Sequence, residues 1–218
     1  MPRLADHDQR RTQITDAARR VVARAGLEAA TFQSVAAEAG ISVRLVQYYF
    51  GTKRTFLLAT HQAVVADAGT RFTRRLGTLG EDPVPREVVR ALLVELLPTD
   101  DARRQDTVVL NAFHTAALTA SDVDGEDTLG APRYLVAAIA DQLRRARAGA
   151  APSDDGAEHR AGQDGDRGAD LDAELIVAAA SGLAQTLLVD ESAGERVEQL
   201  LDRLLDRLVA PPASYKLE

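Results

Sequence analysis

Residues 31–56, Thr-Phe-Gln-Ser-Val-Ala-Ala-Glu-Ala-Gly-Ile-Ser-Val-Arg-Leu-Val-Gln-Tyr-Tyr-Phe-Gly-Thr-Lys-Arg-Thr-Phe, leave the backbone few choices. The Thr31 hydroxyl can cap a helix, Val35, Ala36 and Ala39 give that helix an apolar stripe, and Gly40 supplies the backbone freedom that ends it. Ile41 then packs inward as an apolar hinge, and Ser42 can accept from the orphan N–H groups that open a second helix. Two short helices joined steeply at a glycine turn have the form of a DNA-reading element.

Spacing divides the second helix into two faces. Val46 and Phe50, four apart, share the core side, whereas Val43, Arg44, Gln47 and Tyr48 cluster on the other. Arginine can donate two bonds to guanine O6 and N7, glutamine can pair with adenine N6 and N7, and a small apolar group can touch the thymine methyl. Thr31, Ser42, Tyr48 and Lys53 complete the expected DNA-binding set. The helix N-terminus with Ser42 suits a phosphate, and Tyr48 and Lys53 lie where they can reach the backbone beside the groove. Such contacts position the protein without specifying a sequence.

Ala39-Gly40-Ile41-Ser42 and Tyr49-Phe50-Gly51-Thr52-Lys53, behind an amphipathic first helix, resemble the TetR/AcrR family of bacterial transcriptional regulators. The resemblance is by motif in the N-terminal part and by helix order and length in the rest. Gln47 stands where many members carry tyrosine, and Arg44 where a small residue or proline is common. Both departures fall on the reading face, so they alter the operator and leave the fold untouched. The resemblance implies an all-α protein, with a three-helix helix-turn-helix domain over residues 1–52 and a helical effector-binding and dimerisation domain over 53–218. It also implies a homodimer on double-stranded, palindromic operator DNA, a repressor released by a small-molecule effector.

Charge fits that division. The net charge of -7 is unfavourable for a DNA binder as a whole, but residues 1–75 hold 12 Lys+Arg against 6 Asp+Glu, a net +6, and residues 76–218 hold 14 against 27, a net -13. Phosphate neutralisation is local, so a basic head on an acidic body orients the molecule on DNA. With 218 residues, 45% of them hydrophobic, the chain can bury a real core. Cysteine is absent, which excludes a disulfide framework and a thiolate metal site. Residues 1–13 are polar and charged, unlike a secretory signal, and no apolar run approaches membrane-spanning length, so a soluble cytoplasmic protein with no membrane partner is expected.

The first helix is expected from about Asp8 to Ala25, with Ile14, Ala17, Ala18, Val21 and Val22 inside and Arg10, Arg11, Arg19, Arg20 and Arg24 outside. Lys53 begins a long connecting helix, and helices are also predicted over about 86–97, 102–120 and 132–148. Residues 149–170, rich in glycine, aspartate and alanine, read as a flexible loop. The run from Asp164 to Asp170 lacks the sixth-position glycine and twelfth-position glutamate of a calcium loop, and no strand precedes its glycines to make a dinucleotide fingerprint.

Beyond Leu171 a small-residue stripe and then a leucine-rich one predict two packing helices. The resemblance assigns them to a dimer interface through Leu175, Ala179, Gly182, Leu183, Thr186, Leu201, Leu204 and Leu208, although amphipathic helices pack the same way inside one chain. Effector candidates are Asn111, Phe113, His114 and Thr115 on one predicted helix and Tyr134 on the next. The rival classes are an all-helical enzyme and a helical scaffold without sequence-specific DNA binding. His7, His61, His114 and His159 are scattered, with no His-x-x-x-His or Glu-x-x-His pair and no Gly-x-Ser-x-Gly turn. No catalytic residue, metal ligand or cofactor is therefore expected.

Overall fold

The computed structural model describes residues 2–118, 125–150 and 158–209, and every α-helix or 3₁₀ turn among them is joined by short connections, with no strand among the described residues. In chain order these are α1 (Pro2–Ala25), α2 (Phe32–Ala39), α3 (Val43–Phe50), α4 (Lys53–Leu76), α5 (Pro85–Leu96), α6 (Asp101–Leu118), α7 (Gly125–Ala150), α8 (Glu158–Val189) and α9 (Gly194–Leu208). A single 3₁₀ turn, Glu191–Ala193, precedes α9. The chain gathers into two compact units, Met1–Thr70 with Asp100–Gly130, and Arg71–Thr99 with Ala131–Glu218.

The first unit is built on the apolar face of α1. Ile14, Ala17, Ala18, Val21 and Val22 are buried there with Val35 and Ala36 of α2 and Val46 and Phe50 of α3. Phe56, Leu57 and Val64 of α4 and Val109, Phe113 and Ala116 of α6 close the same core. The division expected at residue 52 is therefore corrected. Phe56 of α4, fully buried, packs edge-on against Phe32 of α2 at 5.3 Å between ring centroids, so the core continues past residue 52. Arg19, expected outside, is instead only 14% exposed at its side chain, held between Asp67 of α4 at 2.8 Å and the buried carboxylate of Asp106 of α6.

The second unit packs α5, α7, α8 and α9 around Val89, Leu93, Leu97, Ile139, Leu143, Ile176, Leu201 and Leu205. Two arginines of α5 fasten its rim, Arg86 to Asp206 and Arg90 to Asp202, with Nε···Oδ1 distances of 3.0 and 2.8 Å. Asp202 is held below the ordinary aspartate value by its hydrogen bond from Arg90.

The loop expected over residues 149–170 is corrected for most of its length. Residues 151–157 lie outside the described residues, but α8 already begins at Glu158. Glycine and aspartate lower helix propensity, yet tertiary contacts override so weak a preference. Arg144 of α7 reaches Asp166 at 3.2 Å and also Asp170, Arg147 reaches Asp172, and Ala169 is fully buried. Gly168 leaves room for the Arg147 guanidinium, which would stand 3.4 Å from a Cβ placed there. The reading that no apolar run approaches membrane-spanning length also changes. Among the described residues one segment, Asp166–Val189 in α8, reaches that length, with a mean hydropathy of 1.4 over an 18-residue window within it.

Candidate nucleic-acid interface

The turn forms as its residues dictate. Thr31 caps α2: its hydroxyl accepts from Ser34 N–H at 3.1 Å, and Ser34 Oγ accepts from Thr31 N–H at 2.9 Å, a reciprocal capping box. At the other end Gly40 takes the left-handed conformation, φ 67°. Gly40 N–H donates to Ala37 O and Ile41 N–H to Ala36 O, so the closing carbonyls are satisfied and Ile41 is drawn against the core. One residue later Ser42 caps α3, its hydroxyl accepting from Leu45 N–H at 3.2 Å.

α3 then divides as the spacing requires. Val46 and Phe50 are buried, and burial of two such side chains contributes about 1.5–3 kcal/mol each. Arg44, Gln47 and Tyr48 are exposed, Tyr48 to 76%. Arg44 makes no ion pair among the described residues. Val43 is a correction: it is half-buried and packs against the core. It lies three residues before Val46 and seven before Phe50, on the apolar stripe.

The backbone-contacting candidates are partly engaged within the chain. Ser42 Oγ spends an acceptor position on Leu45 and keeps its O–H to donate. Lys53 is half-buried at the start of α4, with Nζ 3.5 Å from both Glu28 O and Glu28 Oε2. Thr31 is exposed but bonded to Ser34.

Two contacts were not expected from the residues. Arg11 Nη1 donates to Tyr49 O at 3.0 Å while its guanidinium lies over the Phe50 ring, 4.5 Å from the centroid. Gln13 Nε2 donates to Ala39 O at 2.9 Å. The available signal was a pair of long polar side chains beside the apolar face of α1, which does not reveal partners 38 and 26 residues away. Arg20 and Arg24 close on Glu38 of α2, at 2.7 and 3.1 Å. Hydrogen bonds from Arg20 and then Arg24 hold that carboxyl below its ordinary value, and its single negative charge offsets one of the two cations.

The effector candidates occupy different surroundings. Phe113 is fully buried in the core of the first unit, its ring 5.0 Å from His61 edge to face. His114 and Thr115 are exposed and Asn111 is half-buried on the same helix. Desolvation nevertheless lowers the His114 pKa. Tyr134 belongs to the second unit and is 80% exposed.

The dimer candidates divide in a similar way. Leu175, Gly182 and Thr186 are exposed, Ala179, Leu183, Leu204 and Leu208 are half-buried, and Leu201 is fully buried within its own chain. Leu201 is therefore corrected to an intramolecular core residue. The opposite side of α8 buries Ala173, Ile176, Ala180, Ala184 and Leu187, which places Leu171, Leu175, Gly182, Thr186 and Val189 on an outer stripe.

Residues 14–60 match the family model described as bacterial regulatory proteins, tetR family. Over 123 residues the chain is 32% identical to the HTH-type transcriptional regulator PksA of Bacillus subtilis, covering 56% of this chain and 58% of that one. It is 39% identical over 93 residues to the HTH-type transcriptional regulator BetI of Burkholderia mallei, covering 43% and 47%. The chain thus spans about half the length of the curated relatives it matches. Solved structures share the fold over nearly the whole chain. A TetR-family regulator from Rhodococcus sp. superposes with a TM-score of 0.73 at 20% identity, covering 93% of this chain and 100% of that one. A transcriptional regulator from Saccharomonospora viridis, solved with choline, gives 0.76 at 21%, covering 94% and 99%. Residues 14–60 thus carry the N-terminal pattern of the tetR family of bacterial regulatory proteins, and the chain as a whole shares the all-helical fold of these solved structures.

Proposed function

We propose that this protein is a cytoplasmic one-component transcriptional regulator that reads DNA through α3. The observation that carries the reading is the exposed trio Arg44, Gln47 and Tyr48 on a helix whose opposite side is buried in the core. Arg44 and Gln47 are the groups that distinguish guanine and adenine in the major groove, and Tyr48 with the Ser42 hydroxyl serves the adjoining phosphates. The relatives named as transcriptional regulators support the same class.

The working form is a homodimer. Leu171, Leu175 and Val189 of α8, exposed to 59%, 54% and 90%, and Leu200 of α9, exposed to 44%, form an apolar surface that one chain leaves in water. A second copy covers it through a two-fold axis, with Gly182 allowing close approach. Asp172 and Glu174 on the same helix suit a wet helix pair better than a lipid interior. Two copies of α3 then enter successive major grooves of an inverted repeat, about one helical turn apart. Bound there, the protein blocks transcription, and a small molecule that prefers a different body conformation releases it.

Choline is not carried over from the S. viridis regulator. A quaternary ammonium is recognised by the faces of aromatic rings, and here Phe113 is packed edge to face with His61 and Tyr134 stands in solvent.

Selection from a random duplex library by the purified protein tests the reading. An enriched inverted repeat supports both DNA reading and the two-fold dimer. Retention without a motif, lost on raising salt, reduces the interaction to generic attraction and contradicts the proposal.

A further inference from the structure

The recognition helix α3 has only eight residues, and a helix of that length is not stable alone in water. Ser42 closes its N-terminus from within. Its C-terminal carbonyls lack partners in the helix itself, and one of them, Tyr49 O, accepts from Arg11 of α1. The same guanidinium covers the ring of Phe50, a core residue 4% exposed. Two residues along α1, Gln13 bonds the last carbonyl of α2, and its own Oε1 accepts from Arg10 at 2.8 Å. One helix thereby holds the C-terminal ends of both helices of the turn.

We propose that Arg11 is a positioning residue for DNA reading: its bond to Tyr49 O and its cover over Phe50 fix the rotation and tilt at which α3 presents Arg44, Gln47 and Tyr48. The inference rests on the proposed DNA-reading function. Base-edge bonds need their donors placed within about 0.5 Å of the productive geometry. The backbone turns through glycines at positive φ before and after α3, 67° at Gly40 and 68° at Gly51, so its placement rests on side-chain contacts, the core packing of Val46 and Phe50 and the bond from Arg11. A guanidinium can donate in its plane and stack on a ring at once. A lysine ammonium keeps the charge and loses that combination.

Direct phosphate contact by Arg11 is the competing account, and salt separates the two. A phosphate contact contributes about one to the slope of log affinity against log salt, whereas a positioning residue leaves that slope intact. The test compares the wild-type full chain with Arg11→Lys and Arg11→Met on the duplex recovered by selection, at several salt concentrations. Amide exchange of residues 46–52 in the free proteins is measured in parallel. The expected result is native helicity in both variants, at least tenfold weaker binding, a narrower gap between selected and scrambled duplexes, an unchanged salt slope and several-fold faster exchange at the end of α3. Unchanged affinity, or a loss accompanied by a slope smaller by about one, overturns the proposal. If the wild type enriches no duplex, the DNA-reading function itself fails. In that case exchange at the wild-type rate in both variants still overturns the positioning role.

Discussion

Arg19 of α1 closes on the Asp106 carboxylate of α6, 87 residues away in sequence, with Asp106 only 3% exposed. The pair ties the helix beneath the DNA-reading turn to a helix that the motif alone assigns elsewhere. Asp67 of α4 shares the same guanidinium from the solvent side.

Removing one member of a buried pair leaves the charge of the other less compensated, which costs on the order of 3 kcal/mol. Arg19→Met is therefore expected to lower unfolding free energy by about that amount, and Arg19→Met with Asp106→Leu to recover most of it. Asp67→Asn, at the exposed end, is expected to cost less than about 1 kcal/mol. Urea unfolding of the three variants checks the order. Equal losses for Asp67→Asn and Arg19→Met would remove burial as the explanation.

Gly40 provides a cleaner local test, since nothing lies within 4 Å of a Cβ built there. The penalty for Gly40→Ala is then backbone strain alone, about 1 kcal/mol, and Gly40→Asn is expected to cost less because asparagine tolerates the left-handed region. Thermal melts of both variants, compared with an alanine at an exposed helical position, give the answer.

The turn was legible because its determinants are local. Thr31, Ser34, Gly40 and Ser42 act within a few residues, and spacing alone put Val46 and Phe50 on the buried side of α3. What escaped depends on partners far along the chain. The composition of residues 158–170 signals a loop, but α8 begins at Glu158, and partners of distant sequence meet it farther along, Arg144 at Asp166 and Asp170 and Arg147 at Asp172. Arg19 looks like a solvated arginine until Asp106 is brought to it. Val43 shows a subtler failure, since a residue at the edge of two faces belongs to whichever neighbour packs against it.

Acid should loosen the second unit through Asp202. Its folded-state pKa lies below the ordinary value of 3.8 because Arg90 stabilises the charged form. As pH falls, the unfolded chain takes up the proton first. The contribution is whole above the ordinary aspartate range and disappears as pH drops through the depressed value. Asp202→Asn is expected to lower stability at pH 7 by less than about 1 kcal/mol, as for an exposed pair, and to flatten the decline below pH 4. Urea midpoints between pH 7 and pH 3 check both parts.

The exposed stripe on α8 predicts a specific assembly defect. Leu175→Glu places a charge on the outer side without touching the buried side of the helix. The variant is expected to stay helical and to scatter as a single 23.4 kDa chain where the wild type scatters as a pair. Light scattering across a concentration series checks this, and a wild-type protein that remains a single chain removes the two-fold reading.

Selection from a random duplex library, run in parallel with wild type, Arg44→Ala and Gln47→Ala, tests DNA reading by α3 most directly. The account predicts an inverted repeat for the wild type. It also predicts that each variant loses preference at one base pair, symmetrically placed in both half-sites, with about 1–3 kcal/mol of discrimination gone and stability unchanged. The same repeat recovered by all three proteins, or no repeat from the wild type, would contradict it.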